Sequence, residues 1–339
     1  MRAQKKITIT DIAKATGLSI STISRVLNEK SKEYRISKQT EQKVIATVKR
    51  LNYVPNYFAA NLKSGKSKTV ALIVPSFSNP FYTSIVSELN VEIRKLGYTT
   101  IITETDENAE IEKLELQQMT SRNIEGIIIV PCRDQSDYIK KLYDQGLPIV
   151  CIDRYFENLD IPYVSVDNYD GAYTATKHLI ENGHSNIVCI QGIQVSATTR
   201  LRVMGFEDAM QEVGLKNYSI VGDDFTSQNG YLETKLLLNQ KILPTAIFTL
   251  SNTIALGCLK AFKEQGLRVP EDISIITFDD QAFMDYFETP LTCIAQPVSD
   301  ISKIAIKFLF ARINNIKENT NQVLLKPEIK FKKSVRNIQ

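Results

Sequence analysis

The 339-residue chain contains no tryptophan and only two histidines, His178 and His184. Both fall at the end of one expected helix, and His184 after Gly183 reads as a cap or packing residue, not a catalyst. Five cysteines, at 132, 151, 189, 258 and 293, are scattered singly, mostly in apolar runs. An odd number without CxxC spacing argues for reduced core thiols, against bridges or a zinc site. No apolar run reaches 18 residues, and Met1–Lys6 is short and basic, so neither a membrane span nor a secretory leader is expected. Phosphate-cradling loops and nucleophile elbows are also missing. These absences disfavour an enzyme, a metal or cofactor protein and a membrane protein. They lead to the expectation of an intracellular, cytoplasmic chain.

The net charge is small, at +3, and points to no charged partner. Its distribution does. Residues 1–68 carry 15 Lys and Arg against 4 Asp and Glu, whereas the remaining 271 residues carry 26 against 34. A head of net +11 on a body of net −8 is the electrostatic footprint of a nucleic-acid binder. The plainer alternative is a solvated basic surface.

Within that head, residues 8–28 read TITDIAKATGLSISTISRVLN. The pattern predicts two short helices joined by a tight turn. Thr8 is placed to cap the first, with Asp11 three residues on as the reciprocal acid of a capping box. Ile12, Ala13 and Ala15 give it a small apolar face. Gly17 supplies the turn, and Ser19 caps the second helix. Ile23, Val26 and Leu27 point inward at helical spacing, which turns Ser21, Thr22 and Arg25 outward. A short polar face carrying an arginine suits a helix that enters the major groove. Arg25 is then the candidate for a bidentate guanine contact, Ile20 for a thymine methyl, and Ser24 and Thr10 for phosphates. A third helix is expected from a cap at Ser37 to Asn52, with Val44, Ile45, Val48 and Leu51 as its stripe.

Residues 53–64 read YVPNYFAANLKS. Asn56 can cap a short helix holding Ala59, Ala60 and Leu62, which is too short and too poor in apolar residues to persist alone in water. A second copy across a twofold axis, lying in a minor groove, would supply its partner, with Leu62 wedged between base steps. The alternative is an ordinary linker, which Ser64–Lys68 is by composition.

From Thr69, apolar strand-like runs alternate with amphipathic helices. Strands are expected at 70–74, 99–103, 126–130, 148–152, 187–191, 246–250, 273–277 and near 328–331. Helices are expected at 80–96, 110–122, 136–145, 170–182, 199–213, 252–265 and 298–316. Such a pattern argues for parallel sheets covered on both faces. About 270 residues exceed one comfortable core, so two subdomains are expected. Ligands of such sheets sit beyond the carboxyl ends of the strands. That rule singles out the loops at Pro75–Tyr82, Asp153-Arg154, Asp167-Asn168, Ser251-Asn252 and Phe278-Asp279-Asp280. Phe81 and Tyr82 could stack on a sugar or purine face or pack at a helix start. One of Asp279 and Asp280 is expected to cap the next helix.

The T-x-x-D-I-A start, the run G-L-S-x-x-T-I-S-R-V-L-N and the stretch Y-x-P-N-x-x-A-x-x-L-K-S-G resemble the LacI/GalR family of transcriptional regulators, over essentially the full chain. The resemblance implies an α/β protein in two parts. An N-terminal all-α helix-turn-helix DNA-binding head precedes a periplasmic-binding-protein-like core of two doubly wound parallel-sheet subdomains. It implies a head at 1–54, a hinge helix and linker at 55–68, a core N-subdomain at 69–165 and 295–325, and a C-subdomain at 166–294 and 326–339. It also implies a homodimer or larger assembly on a pseudo-palindromic double-stranded operator. Thr8, Ser19, Asn28, Tyr53, Asn56, Ala59, Leu62 and Lys63 then join the DNA-facing set.

The same resemblance implies a small polar effector between the subdomains, a saccharide by default, with purines and other small polar molecules also admitted. Ser78, Phe81, Tyr82, Asp153, Arg202, Ser251, Asn252 and Asp279 are carried to that site. Arg202 is preferred over Arg200, which can instead pair with an acid, and Asp279 is preferred over Asp280. Three departures from the family pattern stand out. Ala60 stands where many members have Arg or Gln. Ser251-Asn252 stands where many have Asn-Asp, which removes a carboxylate. The loop Glu29–Arg35 is longer and more charged, and its Lys30, Lys32 and Arg35 either touch DNA backbone or are merely solvated.

The resulting expectation is a ligand-gated repressor of carbohydrate-utilisation genes. The alternative is a free-standing sugar-binding protein with the same core, against which the basic head argues. A sugar-converting enzyme is disfavoured by the missing catalytic cluster.

Overall fold

The computed structural model describes residues 7–53, 66–133, 136–317 and 319–339. The chain divides into two units, 1–67 and 68–339. In the first, helices α1 (Ile9–Thr16), α2 (Ile20–Leu27) and α3 (Lys38–Arg50) close around Ile12, Ile23, Val26 and Val44. Ile12, Ile23 and Val44 lose all exposure, and each such burial contributes about 1.5–3 kcal/mol. Thr8 and Asp11 form the expected capping box. Gly17 ends α1 at φ 70° with its N–H on the Ala13 carbonyl. A side chain there would meet no neighbour, so the turn requires left-handed backbone and nothing else of this residue.

Two expected core positions differ. Ala15 and Ile45 are exposed, and Thr16 and Thr47 lie inward instead. The cause is helical register: Ile45 is one step round the helix from Val44, whose face is continued by Thr47 at i+3, and in α1 the face of Ile12 is continued by Thr16 at i+4 instead of by Ala15. Thr16 and Thr47 tolerate burial because their hydroxyls donate to the Ile12 and Lys43 carbonyls, at 2.8 and 2.9 Å. The hinge helix expected after Pro55 lies outside the described residues, as do Asn56, Ala59, Leu62 and Lys63.

The second unit is built from two sheets of the same design. β1 (Thr69–Val74), β2 (Thr99–Glu104), β3 (Gly126–Ile129), β4 (Ile149–Ile152) and β5 (Tyr163–Val166) alternate with α4 (Pro80–Lys95), α5 (Ala109–Ser121) and α6 (Asp137–Asp144). The rhythm then repeats. α7 (Asn168–Glu181) leads into β6 (Ile187–Ile190), α8 (Ala197–Glu212), β7 (Tyr218–Val221), α9 (Ser227–Leu238), β8 (Ala246–Thr249), α10 (Asn252–Gln265), β9 (Ser274–Phe278) and β10 (Thr292–Ala295). The chain ends through α11 (Val298–Ile313), β11 (Gln322–Leu325) and β12 (Glu328–Lys330).

The strand orders are β11-β5-β4-β3-β1-β2 and β12-β10-β9-β8-β6-β7, so one sheet retraces the other. The first is parallel throughout, and the second is parallel except for β12 against β10. Both faces of β1 are buried: Val70, Leu72 and Val74 pack into one layer, Ala71 and Ile73 into the other. That explains its unbroken apolar run. The chain passes between sheets three times, after β5, after β10 and after β11, because α7 packs on the second sheet and α11 returns to the first.

Sequence reading passed over β5, β7, α9, β10 and β11. Strands β7 and β11 are edge strands with mixed burial and no continuous apolar run. In α9, Gly230 lowers the helical signal, yet its closeness to Ile254 explains it. A Cβ there would lie 2.1 Å from the Ile254 carbonyl oxygen, so α9 and α10 touch backbone to backbone.

Candidate functional site

On the first unit, Ser21 and Arg25 stand exposed along α2, with Thr22 and Ser24 half-buried. Ile20 is 47 % exposed at the start of the helix, with its apolar side chain open to a partner. Ser19 Oγ accepts the Thr22 N–H at 3.1 Å and lies 2.8 Å from both the Ser21 and Thr22 hydroxyls. A tight group of hydroxyls therefore crowns the positive end of α2. Asn28 donates to the Ser24 carbonyl at 2.7 Å, folding its amide back over the last turn. Thr8 and Thr10 are exposed, whereas Tyr53 is half-buried against the helix core. The Arg25 guanidinium lies 3.9 Å from the centroid of the Tyr34 ring, a neighbour sequence reading did not single out.

The second unit holds a polar crevice between its sheets. It is lined from the first sheet by Asn79, Phe81, Tyr82 and Asp153, and from the second by Thr198, Arg202, Phe225, Ser251 and Asp279, with Gln296 at a crossover. Asn79 caps α4 through the Phe81 N–H at 3.0 Å, which turns the helix start toward the crevice. Phe81 and Tyr82 pack in the core at the start of α4 and also line the crevice. Tyr82 Oη donates to Asp153 Oδ2 at 3.2 Å. Arg154 behind it makes a bidentate pair with Glu107, at 2.6 and 2.7 Å, and its Nη2 donates to Tyr82 Oη at 3.3 Å.

On the opposite side, Arg202 is fixed on three counts. Its Nε donates to Asn168 Oδ1 at 2.8 Å, its Nη1 donates to the Leu250 carbonyl at 2.6 Å, and its plane lies 3.8 Å from the Phe278 ring centroid. Asp279 is bracketed by two amides, Gln296 Nε2 at 2.6 Å and Asn252 Nδ2 at 3.3 Å. Turning both amides this way leaves Asn252 Oδ1 and Gln296 Oε1 buried without a protein partner. Among the described residues, Ser84 Oγ meets Gln281 Oε1 at 3.3 Å and Arg154 faces the Phe225 ring at 5.8 Å, contacts that link the walls directly.

Burial dominates the electrostatics. It raises the carboxyls of Asp153 and Asp279, with Arg154 and Arg202 opposing the rise at Asp153 and Arg202 and Gln296 opposing it at Asp279. Burial likewise lowers Arg202, against the pull of Asp279 and Asp153. At Arg154 burial also opposes the charge, but Tyr82, Glu107 and Asp153 outweigh it and hold the guanidinium firmly charged. All five cysteines are buried and free; burial pushes the thiols of Cys132, Cys258 and Cys293 to about 12, so they are inert packing groups.

Several foreseen roles change. Ser78 is exposed in its loop, bonded to Ser76, and Asn79 lines the crevice in its place. Neither Asp279 nor Asp280 caps a helix. The short turn at Ala282–Tyr286 has no side-chain cap, and Asp280 instead pairs with Lys330 and Lys332 at 2.7 and 3.0 Å. Ser251 caps α10 through the Ile254 N–H while also lining the crevice. His184 keeps its foreseen role as a buried packing residue, between Thr245 and the Arg336 carbonyl. Gln296, Thr198 and Phe225 were missed. Gln296 follows β10, which carries no sequence signal strong enough to point beyond its end.

A second hollow, lined by Leu238, Leu243, Pro244, Leu267 and Ile273 with Glu271, Asp272 and Arg336 among them, has no aromatic lining, and its Asp272 is held by the Arg268 N–H and Nε at 2.8 and 3.2 Å; it is set aside. Among the described residues no group of three His, Cys, Asp or Glu could hold a metal ion, and no helix is long and apolar enough to cross a membrane.

Comparison with known proteins covers both units. The model of bacterial regulatory proteins of the lacI family matches residues 8–56, and that of periplasmic binding proteins and the sugar binding domain of the LacI family matches 67–335. The HTH-type transcriptional repressor PurR of Pasteurella multocida (strain Pm70) is 33 % identical, over 97 % of this chain and 99 % of its own length. The ribose operon repressor of Haemophilus influenzae is 32 % identical, over 98 % of this chain and 99 % of its own. The lac repressor dimer bound to operator and the anti-inducer ONPF superposes with a TM-score of 0.87 at 26 % identity, covering 98 % of this chain and 100 % of that one. A LacI family regulator from Enterococcus faecium with bound ribose gives 0.74 at 26 % identity, covering 80 % of this chain and 100 % of that one. With a three-helix head, two parallel-sheet halves and full-length relatives that are repressors, the chain belongs to the LacI family of DNA-binding transcriptional repressors and is not an enzyme.

Proposed function

We propose that this repressor works as a homodimer on a pseudo-palindromic operator, with α2 reading each half-site, and that a neutral, hydroxyl-rich effector of saccharide type gates it from the crevice. The proposed core division is 69–165 with 295–325, and 166–294 with 326–339. In the DNA role, Arg25 contacts guanine, Ile20 a thymine methyl, Ser21 and Thr22 base edges, and Thr10 and Ser24 phosphates. Leu62 is the proposed minor-groove wedge.

One observation carries the effector reading. The crevice is rich in acceptors, with Asp153 and Asp279 on opposite walls and the Gln296 carbonyl oxygen, buried without a donor, in its lining. An unsatisfied buried acceptor costs about 1–3 kcal/mol. Sugar hydroxyls are donors that relieve this. Two arginines, 154 and 202, stand among three carboxylates, 107, 153 and 279, which disfavours a phosphorylated effector. The relative named ribose operon repressor and the neighbour with bound ribose support the same class. A flat heterocycle is the second reading, favoured by Phe81, Tyr82 and Phe225 in the lining.

Occupancy changes the angle between the two sheets and thereby how closely two hinge segments approach. A complete switch needs about 10⁴-fold preference for one state. A thermal-shift panel of pentoses, hexoses, sugar phosphates and nucleobases tests the class, since a crevice ligand stabilises by mass action. Stabilisation by sugar phosphates or nucleobases alone would exclude the neutral-sugar reading. Gel shift on the region upstream of the chain's own gene cluster tests the DNA role; no retarded band at low salt would refute it.

A further inference from the structure

Arg25 projects from the exposed face of α2, and no hydrogen bond or ion pair among the described residues engages the edge of its guanidinium. Its flat face is engaged instead, 3.9 Å from the centroid of the Tyr34 ring. Tyr34 is itself 44 % exposed, so the stack sits on the surface. The backbone connects the two residues in two steps. The Lys30 N–H bonds the Arg25 carbonyl at 2.9 Å, and the Tyr34 N–H bonds the Lys30 carbonyl at 3.2 Å. The Ile36 N–H then closes on the Ser31 carbonyl at 2.8 Å, and the Ser31 side chain is buried. The loop after α2 is therefore bolted to the last turn of that helix, with Tyr34 at a fixed offset from Arg25.

We infer that Tyr34 is a positioning residue for sequence reading: it holds the Arg25 guanidinium by its face so that its edge is presented to a guanine. The inference rests on the proposed role of Arg25 in base contact. The chemistry is compatible, because stacking uses the π face of the guanidinium and bidentate recognition of guanine uses its N–H edge. A free arginine side chain loses rotamer freedom when it is fixed. A stack formed before DNA arrives removes part of that loss from the binding step. The effect falls on the base pair that Arg25 reads and leaves phosphate attraction alone. The charged loop from Glu29 to Arg35 thus has a task that its lysines do not reveal.

The test uses the full-length protein. A randomised double-stranded DNA library first yields the wild-type preferred duplex, and a scrambled duplex serves as the non-specific probe. Arg25→Ala is expected to erase the preference at one base pair in each half-site. Tyr34→Ala is expected to weaken the preference at that same base pair by about two- to fivefold per head, the range of an exposed cation–π contact. Binding to the scrambled duplex stays within error of wild type, and Tyr34→Phe keeps the preference. Tyr34→Leu separates the stack from mere filling of space, since it retains apolar bulk without a π face; it should match Tyr34→Ala, with thermal melts confirming that every variant is folded. Rescue by Leu, an even loss across all positions, unchanged preference in Tyr34→Ala, or tighter binding by it would each overturn the inference. If Arg25→Ala leaves every preference intact, the guanine role of Arg25 falls first, and the inference falls with it.

Discussion

Asp153 and Asp279 are structural counterparts. Each is the first residue beyond the fourth strand of its half, β4 or β9, and each holds a left-handed backbone, at φ 63° and 70°. Non-glycine residues held there store strain of about 1–3 kcal/mol, which persists where the surroundings over-determine it. Here the repeat of one fold delivers two carboxylates to the two walls of one crevice.

The electrostatics of Asp279 give a prediction with a definite sign. Its folded pKa is raised, so the ionised form carries a penalty in the folded protein. That penalty is present at neutral pH, fades as pH falls through the raised folded value, and is gone below the ordinary value of 3.8. Asp279→Asn removes it and keeps a side chain that tolerates left-handed backbone. The unliganded variant should melt no lower than wild type at pH 7, and wild type should gain on the variant as pH is lowered from 7 toward 5. Effector affinity should fall about 10- to 100-fold with loss of charge-assisted bonds. A variant that melts well below wild type at pH 7 would show that the charge stabilises the empty crevice.

Arg202 should behave in the opposite way. Removing it leaves the Asp153 and Asp279 charges with less compensation and deprives Asn168 and the Leu250 carbonyl of a donor. Arg202→Ala is expected to lose about 3–5 kcal/mol in urea unfolding and to abolish the effector response. Operator binding by gel shift should survive at low temperature. A loss under 1 kcal/mol would mean that the buried ion cluster relaxes around the gap.

The head and the crevice were legible to different depths. Thr8, Asp11, Gly17 and Ser19 announce their roles locally, because capping and tight turns are set within a few residues. Strands buried on both faces, such as β1 and β8, announce themselves as apolar runs. Edge strands such as β7 and β11 do not, and the short interior strand β10 was passed over too; with it went Gln296, which stands beyond β10 and grips Asp279 from 17 residues away. Asp280 was misread because its partners, Lys330 and Lys332, arrive from the last strand through sheet topology. Tyr34 was passed over in a charged loop because a stack leaves no mark on sequence spacing.

The register of α3 can be tested at two adjacent positions. Val44 has no exposure, whereas Ile45 is 43 % exposed. Val44→Ala should cost about 2 kcal/mol, as loss of buried methyls does. Ile45→Lys should change stability by less than about 0.5 kcal/mol. If Ile45→Lys proves the more damaging, Ile45 is covered by something in the working assembly, and analytical ultracentrifugation of the variant would then reveal a change of oligomeric state.

Lys332 and Asp280 give the final prediction. Lys332 is 15 % exposed and bridges Asp280 at 3.0 Å and Asp285 at 2.7 Å. Burial opposes the Asp280 charge, but hydrogen bonds from Lys330 and Lys332 outweigh it and hold the carboxyl below its usual range. This clasp ties the loop that carries Asp279 to the chain just beyond β12, close in sequence to the last passage between sheets. Lys332→Met should therefore lower stability by about 1 kcal/mol, as a partly buried pair does, and weaken effector binding several-fold through misplacement of Asp279. Neither residue need touch the ligand for this to hold. In a double-mutant cycle with Asp280→Asn, the two losses should fall short of additivity by at least about 0.5 kcal/mol, because the second change removes a partner already lost. Strict additivity would mean that Asp285 alone satisfies Lys332, and that the crossover strand and the effector loop are held independently.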